Sequence, residues 1–120
     1  MEEIVHNLDL LTVRGRRAIL WEVKSINTSG NNEESQIALA VGKLPKYVYG
    51  IITDEEYKDT IGKPVEAILL SQKPAADKGY LKHLETEKGI YTFWLENGNI
   101  TGTDSAMKML YKFLEEAQHE

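Results

Sequence analysis

The chain has no cysteine among its 120 residues, so disulfide bridges and thiolate metal sites are both closed to it. It has no run near the roughly 18 unbroken apolar residues that a membrane-spanning helix needs. Its first residues, MEEIVHN, are acidic and lack the basic and apolar regions of a secretory signal, so the expected location is the cytoplasm. Positive charge is not in excess either: 14 Lys and Arg stand against 19 Asp and Glu, a net charge of −5. The global basic footprint of many nucleic-acid binders is therefore missing, although a bound metal ion or a local Lys/Arg cluster can reverse the field where it matters. The three histidines, His6, His83 and His119, are scattered without metal-ligand spacing. No repeat, low-complexity tract or internal linker divides the chain, and its length suits one domain, residues 1–120, with a real core.

What is present is organised around LDLLTVRGRRAILWEVKSI, residues 8–26. Two stretches rich in β-branched and large apolar residues flank Arg14-Gly15-Arg16-Arg17, which predicts a β-hairpin. A two-residue turn at Gly15-Arg16, glycine first, suits the primed turns that match strand twist. That turn sets Asp9 opposite Glu22, with β-carbons roughly 4.5–5.5 Å apart on one face. Lys24, two residues beyond Glu22, shares the face. Like charges facing each other destabilise a sheet, and a divalent cation between the oxygens is a reason to keep them. Leu11, Val13, Leu20 and Ile26 share this face, and Leu8, Leu10, Ile19, Trp21 and Val23 form the other. Both faces are mostly apolar, as in a strand pair covered on both sides. A one-residue slip would separate Asp9 from Glu22.

The rest of the chain reads as alternating elements. Asn27 to Glu34 is a polar loop in which Asn31 or Asn32 caps a helix, with Glu33 and Glu34 favouring its positive end. The helix is expected over about residues 33–49, with Ile37, Val41, Leu44 and Val48 facing the sheet. Gly42 suggests close packing, and Pro45 predicts a kink or an early end near Lys43–Leu44. Thr53 or Asp54 is expected to cap a short helix through Thr60. Residues 65–71 read as a buried strand. Asp77 starts a helix containing Leu81 and Leu84 that Lys88-Gly89 closes. Residues 90–95 form a further strand, and Asn97-Gly98 is a hairpin turn leading to a short return strand at Ile100. Thr103 or Asp104 caps a last helix with Ala106, Met107, Leu110, Phe113, Leu114 and Ala117 inward. Trp21, Trp94, Tyr47 and Tyr49 read as core or sheet-covering residues. The order implies an α/β sandwich around a mixed sheet.

Asp9, then Glu22-Val23-Lys24, then a helix opening with Gln36, resembles the PD-(D/E)xK nuclease superfamily, whose fold is restriction-endonuclease-like. QIALAVGKLPKYVYG, residues 36–50, looks like the helix that follows the catalytic hairpin in many bacterial members. The resemblance runs from about Leu8 to at least Gln72. It implies a central mixed sheet flanked by helices and a metal-dependent phosphodiesterase acting on DNA. Two positions depart from the pattern. Lys43 stands where the Gln-x-x-x-Tyr version has glutamine, with Tyr47 retained. The family core also begins with a helix and a strand ahead of the hairpin, whereas only eight residues precede Asp9. The expectation is a fold with its N-terminal core elements truncated, completed by a fusion partner or by a homodimer. Glu2 and Glu3 are the only upstream acids.

The chemistry follows from the residue types. Asp9 and Glu22 would ligate Mg²⁺, with Mn²⁺ as substitute, because this hard ion takes one or two carboxylates and keeps several waters. The resemblance adds the Val23 carbonyl as a third ligand. Lys24 would hold a water or the scissile phosphate as a compact point charge, and Gln36 would orient one of them. Lys43 and Tyr47 lie further along the helix on nearly the same stripe. Arg14, Arg16 and Arg17 at the hairpin tip are candidates for phosphate contacts that position without specifying sequence. The alternative is a catalytically inactive module of the same fold, serving nucleic-acid binding or protein assembly.

Overall fold

A computed structural model describes residues 10–26, 33–74 and 78–118. The hairpin forms with the expected register. Strand β1 (Leu10–Arg14) runs antiparallel to β2 (Arg17–Lys24), pairing Leu10 with Trp21 and Arg14 with Arg17. Gly15 takes φ 62° at the turn, where a side chain would be strained. Asp9 lies outside the described residues, as do Asn31, Asn32, Asp77, His6 and His119.

Helix α1 (Glu33–Ile52) follows, then β3 (Val65–Leu70), α2 (Lys78–His83) with a π-helical turn at Leu84–Lys88, β4 (Ile90–Glu96), β5 (Asn99–Gly102) and α3 (Asp104–Gln118). The five strands lie in sequence order in one mixed sheet: β2, β3 and β4 are parallel, and the outer pairs are antiparallel. Parallel neighbours need a crossover between them, and α1 and α2 supply the two. The α/β architecture with a mixed sheet is thus as expected.

Alternation along the strands sorts side chains into two cores. On one face Leu20, Ile68, Leu70, Ile90 and Trp94 pack with Ile37, Ala40, Leu44, Val48 and Ile51 of α1 and with Leu81 and Leu84. On the other, Ile19, Trp21, Ala67 and Phe93 pack with Ala106 and Phe113 of α3. The Trp21 and Phe93 rings meet there at 5.0 Å and 54°, a favourable tilted geometry. The Trp21 indole N–H donates to Thr12 Oγ1 at 3.0 Å, which satisfies the polar end of the ring. Each face is open at its margin: Val13, beside Ala18 on the first face, and Val23, in phase with Trp21 on the second, are both exposed. The hairpin is therefore covered on both sides only over its central residues.

The turns behave as their residues dictate. Asn97 and Gly98 both take positive φ, 54° and 79°, as a type I′ turn requires. Gly89 closes the turn after α2 in the left-handed conformation. Thr103 Oγ1 accepts from the Ala106 N–H at 3.1 Å and so caps α3. Gly102 has a separate reason to be glycine: a Cβ there would lie 2.7 Å from the Thr92 carbonyl oxygen.

Four expectations need correction. Helix α1 does not end near Lys43–Leu44 but continues past Pro45 to Ile52. Buried Ile37, Ala40 and Leu44 before the proline and Val48 and Ile51 after it anchor both halves to the sheet, which offsets the roughly 3 kcal/mol local cost of proline. Gly42 has nothing within 4 Å of a notional Cβ and faces outward, so it marks no close packing. Residues 54–60 form hydrogen-bonded turns, not a helix, with Asp54 Oδ1 accepting from the Glu56 N–H at 2.7 Å. Tyr49 covers no core, being 67% exposed.

Candidate functional site

The site grows out of the register of three parallel strands. Glu22 of β2 stands beside Ile68 of β3, which stands beside Thr92 of β4. One step further along the strands the row is Lys24, Leu70 and Trp94, and one step back it is Leu20, Glu66 and Ile90. All three rows face α1 and α2. Glu22 and Lys24 therefore sit together at the carboxyl end of β2, on the face that α1 covers. In open α/β sheets, ligands bind outside the carboxyl ends of the strands.

Burial makes Glu22 unusual. It is only 3% exposed, among apolar neighbours, and a buried carboxylate demands opposite charge or hydrogen bonds. A cation comes from α1: Lys43 Nζ lies 3.7 Å from Glu22 Oε1, with the lysine side chain 51% exposed. The chain geometry explains why it can reach. Because β2 and β3 are parallel, α1 must run back antiparallel to them, and helical side chains lean toward their own N-terminus. Lys43 thus leans toward the end of β2 where Glu22 lies.

Lys24 is half-buried. The backbone beside it is fixed: the Ser71 N–H donates to the Lys24 carbonyl at 3.1 Å, and the Ile26 N–H donates to Ser71 Oγ at 2.9 Å. Val23 lies between the two charged residues with its side chain on the opposite face. Gln36 is half-buried in the first turns of α1, and Tyr47, also half-buried, packs against the α1-side core. Gln36, Lys43 and Tyr47 share one stripe of the helix, with about 10 Å of axial rise from Gln36 to Lys43.

The hairpin-tip arginines are elsewhere. Arg14 and Arg16 are exposed and Arg17 half-buried, at the start of β2. At about 3.3 Å per residue they lie roughly 17 Å from Glu22 along the strand. They are too far to join Glu22 in one site. The tip is braced by the Gly62 N–H, which donates to the Arg16 carbonyl at 2.9 Å.

Three polar groups on the α1 side were not singled out from the sequence as candidates. Glu33, the first residue of α1, is 8% exposed; the signal was its phase with Ile37, Ala40 and Leu44, which puts it on the sheet-facing stripe. Thr92 is fully buried, and its hydroxyl finds no hydrogen-bond partner among the described residues; alternation with Ile90 and Trp94 already placed it inward. Glu66 has its carboxyl pushed above the ordinary 4.5 by burial, partly opposed by Lys63.

The donor set fits a hard cation in part. Glu22 offers a buried carboxylate, and Mg²⁺ is bound by one or two of these. Among the described residues no group of three or more His, Asp or Glu is arranged to hold a metal ion. No helix among them is long and apolar enough to cross a membrane. No protein-family model, curated protein or solved structure matches the chain.

Proposed function

We propose that the chain is a Mg²⁺-dependent nuclease domain of restriction-endonuclease-like fold, cleaving phosphodiester bonds of DNA in the cytoplasm. The observation that carries the reading is the buried Glu22 at the carboxyl end of β2 with Lys24 on the same face and a helix packed over both. A buried carboxylate costs stability unless it is paired, and residues kept against such a cost are expected at functional sites. The expected hairpin register, the mixed sheet and the helix following the hairpin all agree with this reading.

In the reaction, Glu22, with Asp9, would hold the cation. The ion supplies neutralisation of phosphate charge and a lowered pKa for a water molecule. Lys24 brings a compact ammonium to the scissile phosphate, where it stabilises charge that develops in the transition state. Gln36 orients the attacking water or a phosphate oxygen. Lys43 and Tyr47 bind the nucleic-acid backbone nearby, and Arg14, Arg16 and Arg17 bind it further along. A homodimer through the outer edge of β1 is consistent with that strand's place at the margin of the described sheet; light scattering that shows a monomer would refute it.

One observation favours a second reading. Lys43 already compensates Glu22 at 3.7 Å, as expected of a non-cleaving module of the same fold that binds nucleic acid or assembles with protein. The deciding experiment is cleavage of a mixed DNA and RNA panel with Mg²⁺ or Mn²⁺, wild type beside Lys24→Ala. The nuclease reading expects cation-dependent cleavage that falls by about 10²-fold or more in the variant. Equal activity in both removes Lys24 from the mechanism, and no cleavage by the wild type leaves the non-cleaving module.

A further inference from the structure

We propose that the cavity between α2 and the β5–α3 connection is a binding site for a small α-amino acid with an aliphatic side chain. The site is apart from Glu22 and does not depend on the nuclease reading.

The cavity has a volume of about 390 Å³ and is lined by Lys73 and Pro74 after β3, Leu81 of α2, Trp94 of β4, and the connection from Gly102 to Asp104. Small-molecule sites span roughly 300–1,000 Å³ and combine an apolar wall with a few placed polar groups. Pro74, Leu81 and Trp94, all buried, form such a wall. Trp94 stands in one strand row with Leu70 and Lys24. It is two strands from Lys24, and so about 10 Å across the sheet.

The polar groups ask for a ligand with two charges. Lys73 and Asp104 are both exposed, and among the described residues neither forms an ion pair. Hydrogen-bond donors are in surplus. Trp94 is 8% exposed, and its indole N–H has no acceptor among the described residues, whereas that of Trp21 donates to Thr12. Buried indole N–H groups usually find a partner. The first turn of α3 adds more donors. Thr103 Oγ1 accepts from the Ala106 N–H, and the Thr103 carbonyl from the Met107 N–H. The N–H groups of Asp104 and Ser105 are left outside the helix's own bonding, at its positive end. The Thr103 hydroxyl donates to the Glu85 carboxylate, which ties the connection to the turn after α2 and fixes both walls.

An α-amino acid carries its carboxylate and its ammonium on one carbon. At the start of α3, the N–H groups and the Asp104 carboxylate are likewise within one residue of each other. The ligand carboxylate would accept from the α3 N–H groups, with Lys73 as its counter-charge, and supply an acceptor near the Trp94 indole. The ligand ammonium would donate to Asp104. The aliphatic side chain would cover Pro74 and Leu81, an area worth burying.

The test is NMR titration of the nitrogen-labelled full chain with L-leucine at millimolar concentration. The chain has 2 tryptophans, so the indole N–H of Trp21 is an internal control. Leucine should move the Trp94 indole signal saturably and leave that of Trp21 in place. Isocaproate, which lacks the ammonium, and isoamylamine, which lacks the carboxylate, should each bind about tenfold more weakly, the loss of one charge-assisted hydrogen bond. Lys73→Gln and Asp104→Asn should each weaken leucine binding to a similar extent. No saturable movement of the Trp94 signal overturns the proposal. So does isocaproate or isoamylamine binding as tightly as leucine, or unchanged affinity in both variants. Should circular dichroism show the variants unfolded, the ligand series on wild type decides alone.

Discussion

The two faces of the sheet are built to different rules. The α3 face is dry and apolar at its centre, where Ile19, Trp21, Ala67, Phe93, Ala106 and Phe113 fill the space with nothing ionisable among them. The α1 face has a larger apolar core, yet it carries Glu22, Lys24, Glu66 and Thr92 on the same three strands. A face that only had to hold the fold together would have no need of them. The contrast separates residues that stabilise from residues kept at some cost to stability.

The largest expected effect is on the dry face. Phe93→Ala deletes a fully buried ring that touches Trp21 and should destabilise the fold by about 3–5 kcal/mol in urea unfolding. A loss below about 1 kcal/mol would mean that this face is less tightly packed than described.

A smaller effect of opposite sign is expected across the sheet. Thr92→Val removes a fully buried hydroxyl that lacks a partner among the described residues and should stabilise by about 1 kcal/mol, provided the added methyl fits. Clear destabilisation in urea unfolding would show that the hydroxyl is satisfied in solution.

Glu66 gives the smallest effect, and its size depends on pH. Its folded pKa is raised above 4.5 by burial, with Lys63 opposing. The protonated form is thus the one the fold favours. Its contribution is fully present below the unfolded pKa and is lost as pH rises through the folded value. Glu66→Gln should match wild type in thermal unfolding below about pH 4 and be the more stable protein at neutral pH. A variant less stable at neutral pH would show that attraction to Lys63 outweighs burial.

Much of this arrangement was legible because it is local. The register of the hairpin follows from a glycine-first two-residue turn, and the turns at Asn97-Gly98 and Lys88-Gly89 follow from the left-handed backbone those residues tolerate. The N-cap of the last helix read as Thr103 or Asp104, and Thr103 is the one that caps it. What escaped the sequence was set by tertiary contact. Pro45 marked a helix end, but buried residues on either side carry the helix past it. Residues 54–60 have turn and cap chemistry but no apolar stripe to hold a helix against the sheet, so only isolated turns form.

The site was legible to the same degree. The sharing of one face by Glu22 and Lys24 follows from period-two alternation. Asp9, expected from the sequence as the third member, lies outside the described residues. The approach of Lys43 to Glu22 spans 21 positions and depends on which face of the sheet α1 covers, which no local pattern encodes. The inward position of Thr92 was readable from Ile90 and Trp94, but its lack of a partner depends on neighbouring elements.

The most direct measurement is Mn²⁺ binding by wild type beside Glu22→Gln, which keeps the side chain's shape and removes its charge. Wild type should bind the ion, and the variant should lose affinity by at least about tenfold while remaining folded. Equal affinity in the two proteins, or no binding by the wild type, would contradict the assignment of Glu22 as the centre of a cation-dependent site.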